Sequence, residues 1–246
     1  MSAAQPPHWK PWTFDNVVDV NYPAFALRTY LEQADVRAYL RRISASRRIE
    51  SACEIGCGYG RITVALCEFA SRVMGFERQP EFVEEARRLH PNIEVRQVSS
   101  LSELPETDNS FDVVLTFTVL QHLTDAAVVR AIAEIKRLVR PSGFVLLCEE
   151  TDTSHVAGDL TDEGGRCTIG RSISTYVQLL APCRLIATSP RRIEPNYPGL
   201  DVGTYMLFQS PRANSSAIKP AENLRRLLRL FTSARLRSGI KNLIWF

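Results

Sequence analysis

The chain has no apolar stretch that approaches the ~20 residues needed to cross a bilayer, so its sequence does not read as membrane-spanning. Its start, Met1-Ser2-Ala3-Ala4-Gln5-Pro6-Pro7-His8-Trp9-Lys10, has no apolar run behind a basic segment, which is not the pattern of a secretory signal. The six cysteines form no CxxC pair and no metal-type spacing. Cys53, Cys67 and Cys148 lie in apolar runs, where a thiol acts as a small buried hydrophobe. These absences predict a reduced, cytoplasmic protein that holds no metal. There is also no internal repeat or low-complexity block, which excludes solenoid and fibrous classes.

Nor is there a large excess of charge. The formal net charge is +3, but from Lys219 onward seven basic residues face one acid, Glu222. A mildly acidic body therefore carries a basic appendage, and the body does not read as a nucleic-acid binder. With 246 residues and 45% hydrophobic content, the chain can bury the core of one domain with extensions.

The first twenty or so residues hold Trp9, Trp12 and Phe14, followed by Tyr22 and Phe25, the composition of an arm laid on a surface. Residues 24–43 keep helical spacing only in part, which predicts one broken helix or two short ones. From residue 50 the pattern alternates. Strands are expected at 51–55, 72–76, 93–98, 111–117 and 144–148, and helices at 61–70, 80–89 and 125–139. The run 111–117 is nearly all apolar, as in a parallel strand buried on both faces. Residues 151–170 read as a long polar loop, 172–180 as a helix, and 184–188 and 204–209 as an antiparallel pair. The fold class expected is α/β, a Rossmann-like three-layer sandwich whose mostly parallel sheet ends in an antiparallel closing strand. The divisions expected are 1–49 as N-terminal arm and helical lid, 50–212 as the main domain, and 213–246 as a C-terminal extension.

The strand at 51–55 runs into Glu54-Ile55-Gly56-Cys57-Gly58-Tyr59-Gly60. Glycines let the backbone turn sharply and approach a ligand closely. Dinucleotide oxidoreductases carry a three-glycine loop too, but theirs is spaced GxGxxG, whereas this one is GxGxG. A second acid, Glu77, ends the next strand at about the ~20-residue interval at which a carboxylate accepts ribose hydroxyls. Together the loop, Met74-Gly75-Phe76-Glu77, and the run from Ser110 to His122 resemble the successive motifs of class I S-adenosylmethionine-dependent methyltransferases, small-molecule branch. The resemblance covers about residues 50–150. It implies S-adenosyl-L-methionine as cofactor. Glu54, Gly56, Cys57, Gly58 and Gly60 would line its methionine portion, and Glu77 with Arg78 the ribose. Ser99, Ser100 and Leu101 would lie by the adenine, and Phe117 and Thr118 would flank the ligand. One departure stands out: relatives often hold the adenine amine with an acid, and here Ser99 and Ser100 occupy that region.

Methyl transfer from a sulfonium needs alignment and exclusion of water more than covalent help. An alcohol acceptor also needs a base, and His122, just past the buried strand, is the first candidate. Its competing reading is structural, orienting the next helix or touching the cofactor. Glu149, Glu150 and His155 follow the next strand and are weaker candidates for acceptor binding, as is Tyr22 in the arm. A metal held by these groups is disfavoured, since Thr118 and Gln121 stand where metal-using relatives carry glutamates. Transfer to a hydroxyl of a small metabolite or sugar is the leading function. The alternatives are N-methylation of an amine or amino sugar, and a non-catalytic adenosyl-ligand-binding protein. In the tail, Leu224, Leu227, Leu228 and Phe231 share one helical face, and Arg225, Arg226 and Arg229 lie off it. Residues 221–246 thus suit docking on the acidic body or on a second copy in a homodimer, or else peripheral contact with an anionic inner-membrane face. No nucleic-acid partner is expected.

Overall fold

The computed structural model describes residues 23–158, 167–191 and 203–213. The aromatic arm with Tyr22, the middle of the 151–170 segment and the basic stretch 221–246 lie outside the described residues. Helix α1 (Pro23–Ser44) leads to strand β1 (Ile49–Ile55), a short 3-10 helix (Thr63–Glu68), β2 (Ala70–Glu77), α2 (Pro80–Leu89) and β3 (Glu94–Gln97). Then come β4 (Phe111–Phe117), a second 3-10 turn (Leu120–His122), α3 (Asp125–Leu138) and β5 (Val139–Glu150). The small strands β6 (Val156–Gly158) and β7 (Cys167–Ile169), helix α4 (Ile173–Leu180), β8 (Arg184–Pro190) and β9 (Gly203–Gln209) complete it.

Seven strands form one sheet in the order β3-β2-β1-β4-β5-β9-β8. The pairs among β1 to β5 are parallel, and β9 runs antiparallel to both β5 and β8. The expected sandwich with its antiparallel closing strand is the fold observed. Strand β4 is buried at every position. Val113, Leu115 and Phe117 pack on one face with α1 and α2, while Val114 packs on the other with α3 and α4. Both faces of the sheet are therefore dry at its central strand, while the edge strand β8 stays half-exposed along its length. No described helix is long and apolar enough to cross a membrane.

Four local expectations need revision. The segment 24–43 is one continuous helix rather than a broken one. Its apolar stripe (Val36, Leu40, Ile43) enters the core only in the second half, and buried ion pairs at Glu32 hold the first half. The segment 61–70 forms only a 3-10 helix. The β-branched Ile62, Thr63 and Val64 disfavour a regular helical start, no side chain caps it, and β2 begins directly after it. Helix α3 stops at Leu138, before Pro141, because Val139 pairs with Phe111 and starts β5 at once. The polar segment after β5 is not all loop, since β6 and β7 pair antiparallel.

Candidate active site

Ligand sites in open α/β sheets lie beyond the carboxyl ends of the strands, and here two segments meet at that edge. After Ile55 the chain turns with the Gly56 and Cys57 amides donating to the Phe76 carbonyl at 2.8 and 3.1 Å. Gly56 has φ +73°, and a Cβ there would stand 2.5 Å from a Val119 methyl. Glycine is thus required for the segment after β4 to lie against this loop. Gly58 has φ +53°, and no atom lies within 4 Å of its Cβ position, so it borders open space.

Glu77, at the end of β2, is buried and accepts from the Gly58 amide at 2.9 Å, the Arg78 amide at 2.7 Å and the Gln79 amide at 2.9 Å. The carboxylate is fixed from behind, with acceptor capacity left for a ligand hydroxyl. Glu54 is buried beneath the loop, where the Thr63 hydroxyl donates to it at 2.5 Å. Burial pushes its pKa up to about 8, against the opposing Thr63 hydrogen bond and the Arg61 charge. Cys57 is buried too, its sulfur filling the space a Cβ of Gly75 would need. The Arg78 side chain and Ser99 stand at the surface beside Glu77, where the Val98 amide donates to the Glu77 carbonyl at 2.9 Å. Ser100 Oγ accepts from the Ser102 amide at 3.1 Å, and Leu101 is buried on the α3 side of the sheet.

The second segment leaves β4 at Phe117, whose ring lies under the guanidinium groups of Arg61 and Arg191, 5.4 and 6.0 Å from its centroid. Thr118 adopts φ +53°, a left-handed conformation uncommon for a β-branched residue, and its amide donates to the Cys148 carbonyl at 2.7 Å. Strain of this kind concentrates at functional sites. His122 follows in the 3-10 turn, half-buried, with Nδ1 2.8 Å from the Cys167 carbonyl on β7. A carbonyl can only accept, so Nδ1 carries the proton and Nε2 the lone pair. Burial lowers the imidazole pKa below its usual value, with the Cys167 carbonyl opposing, and the ring is neutral at pH 7.

Glu149 and Glu150 are both buried, and their carboxylates face the protein rather than solvent. Glu149 accepts from the Thr116 hydroxyl at 2.8 Å and from the Val119 and Gln121 amides at 3.3 and 3.1 Å. Burial raises its pKa to about 7, with these donors opposing. Glu150 accepts from the Asp152 amide at 2.7 Å and meets His155 Nδ1 at 3.4 Å. The structure thus gathers residues 54–60, Glu77, Phe117, Thr118, His122, Glu150 and His155 along one edge, with Glu149 behind it. Tyr22 lies outside the described residues.

Three residues here escaped sequence reasoning. Glu32 is fully buried and ion-paired with Arg28 and Arg61, and Arg191 lies 3.6 Å away. These cations hold its carboxyl below the usual range despite burial. Its signal was an acid four residues before Val36, in line with an apolar stripe. Arg171 and the Cys167 carbonyl had no signal, because their role depends on where β7 folds back. Among the described residues, no group of three or more His, Cys, Asp or Glu is placed to hold a metal ion.

Residues 53–147 match a methyltransferase-domain family. Over 140 residues the chain is 31% identical to a probable S-adenosylmethionine-dependent methyltransferase of Mycolicibacterium smegmatis, covering 54% of this chain and 53% of that protein. It is 30% identical over 142 residues to a ubiquinone biosynthesis O-methyltransferase of Paracidovorax citrulli, covering 54% of this chain and 58% of the relative. The chain thus spans about half the length of these curated relatives. Among solved structures, the N-methyltransferase NodS of Bradyrhizobium japonicum with S-adenosyl-L-homocysteine superimposes with a TM-score of 0.55 at 18% identity, covering 73% of this chain and 87% of that one. At that identity the likeness concerns the fold alone. The glycine loop, the sheet order and the match over residues 53–147 agree, so this part of the chain carries a methyltransferase domain similar to those of S-adenosylmethionine-dependent methyltransferases.

Proposed function

We propose that the chain transfers the methyl group of S-adenosylmethionine to a hydroxyl of a small metabolite or sugar, with His122 as general base. The observation that carries this reading is the His122 ring: its Nδ1–H is committed to the Cys167 carbonyl, so Nε2 is the basic atom. An alcohol acceptor needs such a base, whereas a neutral amine does not.

The residues present fit the cofactor. Gly58 borders open space, and Glu77 is held from behind with capacity to spare. The loop 56–60 and Glu77 would hold S-adenosylmethionine, with Phe117 and Thr118 beside it. When bound, it supplies a methyl group on a sulfonium that is already a good electrophile. The chain's own task is to orient the acceptor, exclude water and take the hydroxyl proton at Nε2 of His122. The ubiquinone-pathway relatives, named as O-methyltransferases, support a hydroxyl acceptor. The N-methyl reading would have Glu149, Glu150 or Asp152 bind a cation; Glu149 and Glu150 are buried against backbone donors, and the exposed Asp152 carboxylate accepts from the Ser154 amide and hydroxyl at 2.9 and 2.7 Å.

The test is transfer of labelled methyl groups to a panel of phenols, sugars and amines. Label on oxygen is expected, with turnover falling 10²–10⁴-fold, the rough range for general-base loss, in His122→Ala. Label on nitrogen, or unchanged turnover at saturating cofactor, would overturn the reading. Label that never leaves the cofactor would favour a binding protein. The stretch 221–246 is assigned to docking on the acidic body or a second copy. Co-sedimentation with anionic but not neutral vesicles would assign it to a membrane surface instead.

A further inference from the structure

The segment that carries His122 is anchored in the core by Leu120 and Leu123, and its backbone is also engaged on both polarities by buried charged side chains. From β5, the Glu149 carboxylate accepts from the Val119 and Gln121 amides and from the Thr116 hydroxyl. From the short link between β7 and α4, the Arg171 guanidinium, 3% exposed, donates to the Leu120 carbonyl at 2.9 Å and the Leu123 carbonyl at 2.6 Å. It also reaches Asp125 at 3.1 Å, in the first turn of α3. Peptide groups on either side of His122 are thus fixed, N–H groups by a carboxylate and C=O groups by a guanidinium. The Arg171 amide donates to the Glu150 carbonyl at 3.1 Å, which ties the second clamp to the same strand end as the first.

Arg171 lies only four residues beyond Cys167, whose carbonyl receives His122 Nδ1–H and whose thiol in turn lies 3.4 Å from the His122 carbonyl. Gln121 completes the frame, with its side-chain oxygen accepting from the Glu150 amide at 2.9 Å. We infer that Glu149 and Arg171 are positioning residues that hold the His122 segment against β7 and so keep the imidazole in its Nδ1–H tautomer, with Nε2 presented as the base. The inference rests on the reading of His122 as base only for its consequence in catalysis. The tautomer itself is a property of the ligand-free chain. Burying a guanidinium and a carboxylate is costly unless each makes directional hydrogen bonds, and both here direct theirs at the peptide groups that flank His122.

The experiment is side-chain 15N NMR of the full chain, with the His122 signals assigned by their loss in His122→Ala. The wild type is expected to show Nδ1–H as the dominant form. Arg171→Lys and Glu149→Gln should each lower the Nδ1–H to Nε2–H ratio by roughly fivefold or more, the scale of one lost hydrogen bond. Thr116→Val, which removes a single donor to Glu149, is the milder variant should either of those fail to fold, and it should give a smaller shift of the same sign. Ile132→Val, a core change in α3 away from the clamp, should lower thermal stability and leave the ratio alone. An unchanged ratio in the folded clamp variants, or an equal change in Ile132→Val, would overturn the inference. Retained turnover in His122→Ala would remove the base role and leave these NMR outcomes standing, so the two failures are distinguishable.

Discussion

Two segments meet at the carboxyl edge of the sheet, and they are held in different ways. The loop 56–60 is shaped by its own glycines and by the end of the adjacent strand. Its anchors are the Phe76 carbonyl and the Glu77 carboxylate, the latter 19 residues from the Gly58 amide it receives. The segment 118–122 is shaped from farther off, by Glu149 at 30 residues from Val119, Cys167 at 45 from His122 and Arg171 at 51 from Leu120. The half of the site proposed for the cofactor is therefore built by one strand-turn-strand unit, while the half proposed for the acceptor depends on the packing of β5, β7 and the segment between β7 and α4. A unit of the first kind can be shared among enzymes of different specificity, and specificity can then vary through the second.

The contrast is broken most forcefully at Glu77. Glu77→Leu leaves three amide donors without their acceptor and removes the group assigned to the ribose. Affinity for S-adenosylhomocysteine, measured by calorimetric titration, should fall by about 100-fold or more, the loss of two charge-assisted hydrogen bonds. The His122 signals should remain in place if the two segments are independently held. A fall below tenfold would show that Glu77 serves the loop and not the ligand.

Gly56→Ala probes a point where the segments touch. The new methyl would meet Val119 at 2.5 Å in a backbone conformation of φ +73°. A loss of about 2 kcal/mol is expected, combining left-handed strain with overpacking, read as a drop in Tm. Val119→Ala in the same chain should recover part of it, since only the steric share is relieved. Recovery of the whole loss would mean that the backbone there is unstrained.

How much of this was legible beforehand follows the same division. The loop could be read because glycine spacing, a preceding acid and a second acid one strand later are local signals, and the apolar run 111–117 marked the central strand. The 3-10 helix after the loop is shorter than its apolar pattern suggests, because β-branched Ile62, Thr63 and Val64 disfavour its start and the early start of β2 decides its end. Glu149 and Glu150 read as candidates for acceptor binding, and only the three-dimensional position of the 118–122 amides explains their burial. His122 was visible as a residue, but its tautomer is set by a carbonyl that sequence cannot place. The adenine side, with Ser99 at the surface and Ser100 turned to its own backbone, marks a departure that the motif comparison revealed and the packing now locates.

The smallest expected effect compares one buried acid from each segment, Glu54 under the loop and Glu149 behind His122. Burial raises both, to about 8 and about 7. A carboxyl that holds its proton in the folded chain and has lost it in the unfolded one makes stability fall as pH rises between the two values. The imidazoles of His90 and His122, lowered by burial, act with the opposite sign but only below the ordinary histidine value of 6.5. In the window from pH 6.5 to 8 the carboxyls lead, the buried thiols adding the same sign only toward its upper end, and Glu54 spans more of it than Glu149. Glu54→Gln should flatten the decline of stability with pH there by about 1 kcal/mol per unit, near the limit for one proton. Glu149→Gln should flatten it only up to about pH 7. Calorimetric Tm values at half-unit steps give both slopes. If the Glu149 variant flattened the whole window and the Glu54 variant did nothing, the acid under the glycine loop would be ionised in the folded chain, and its Thr63 hydroxyl and Arg61 would outweigh burial.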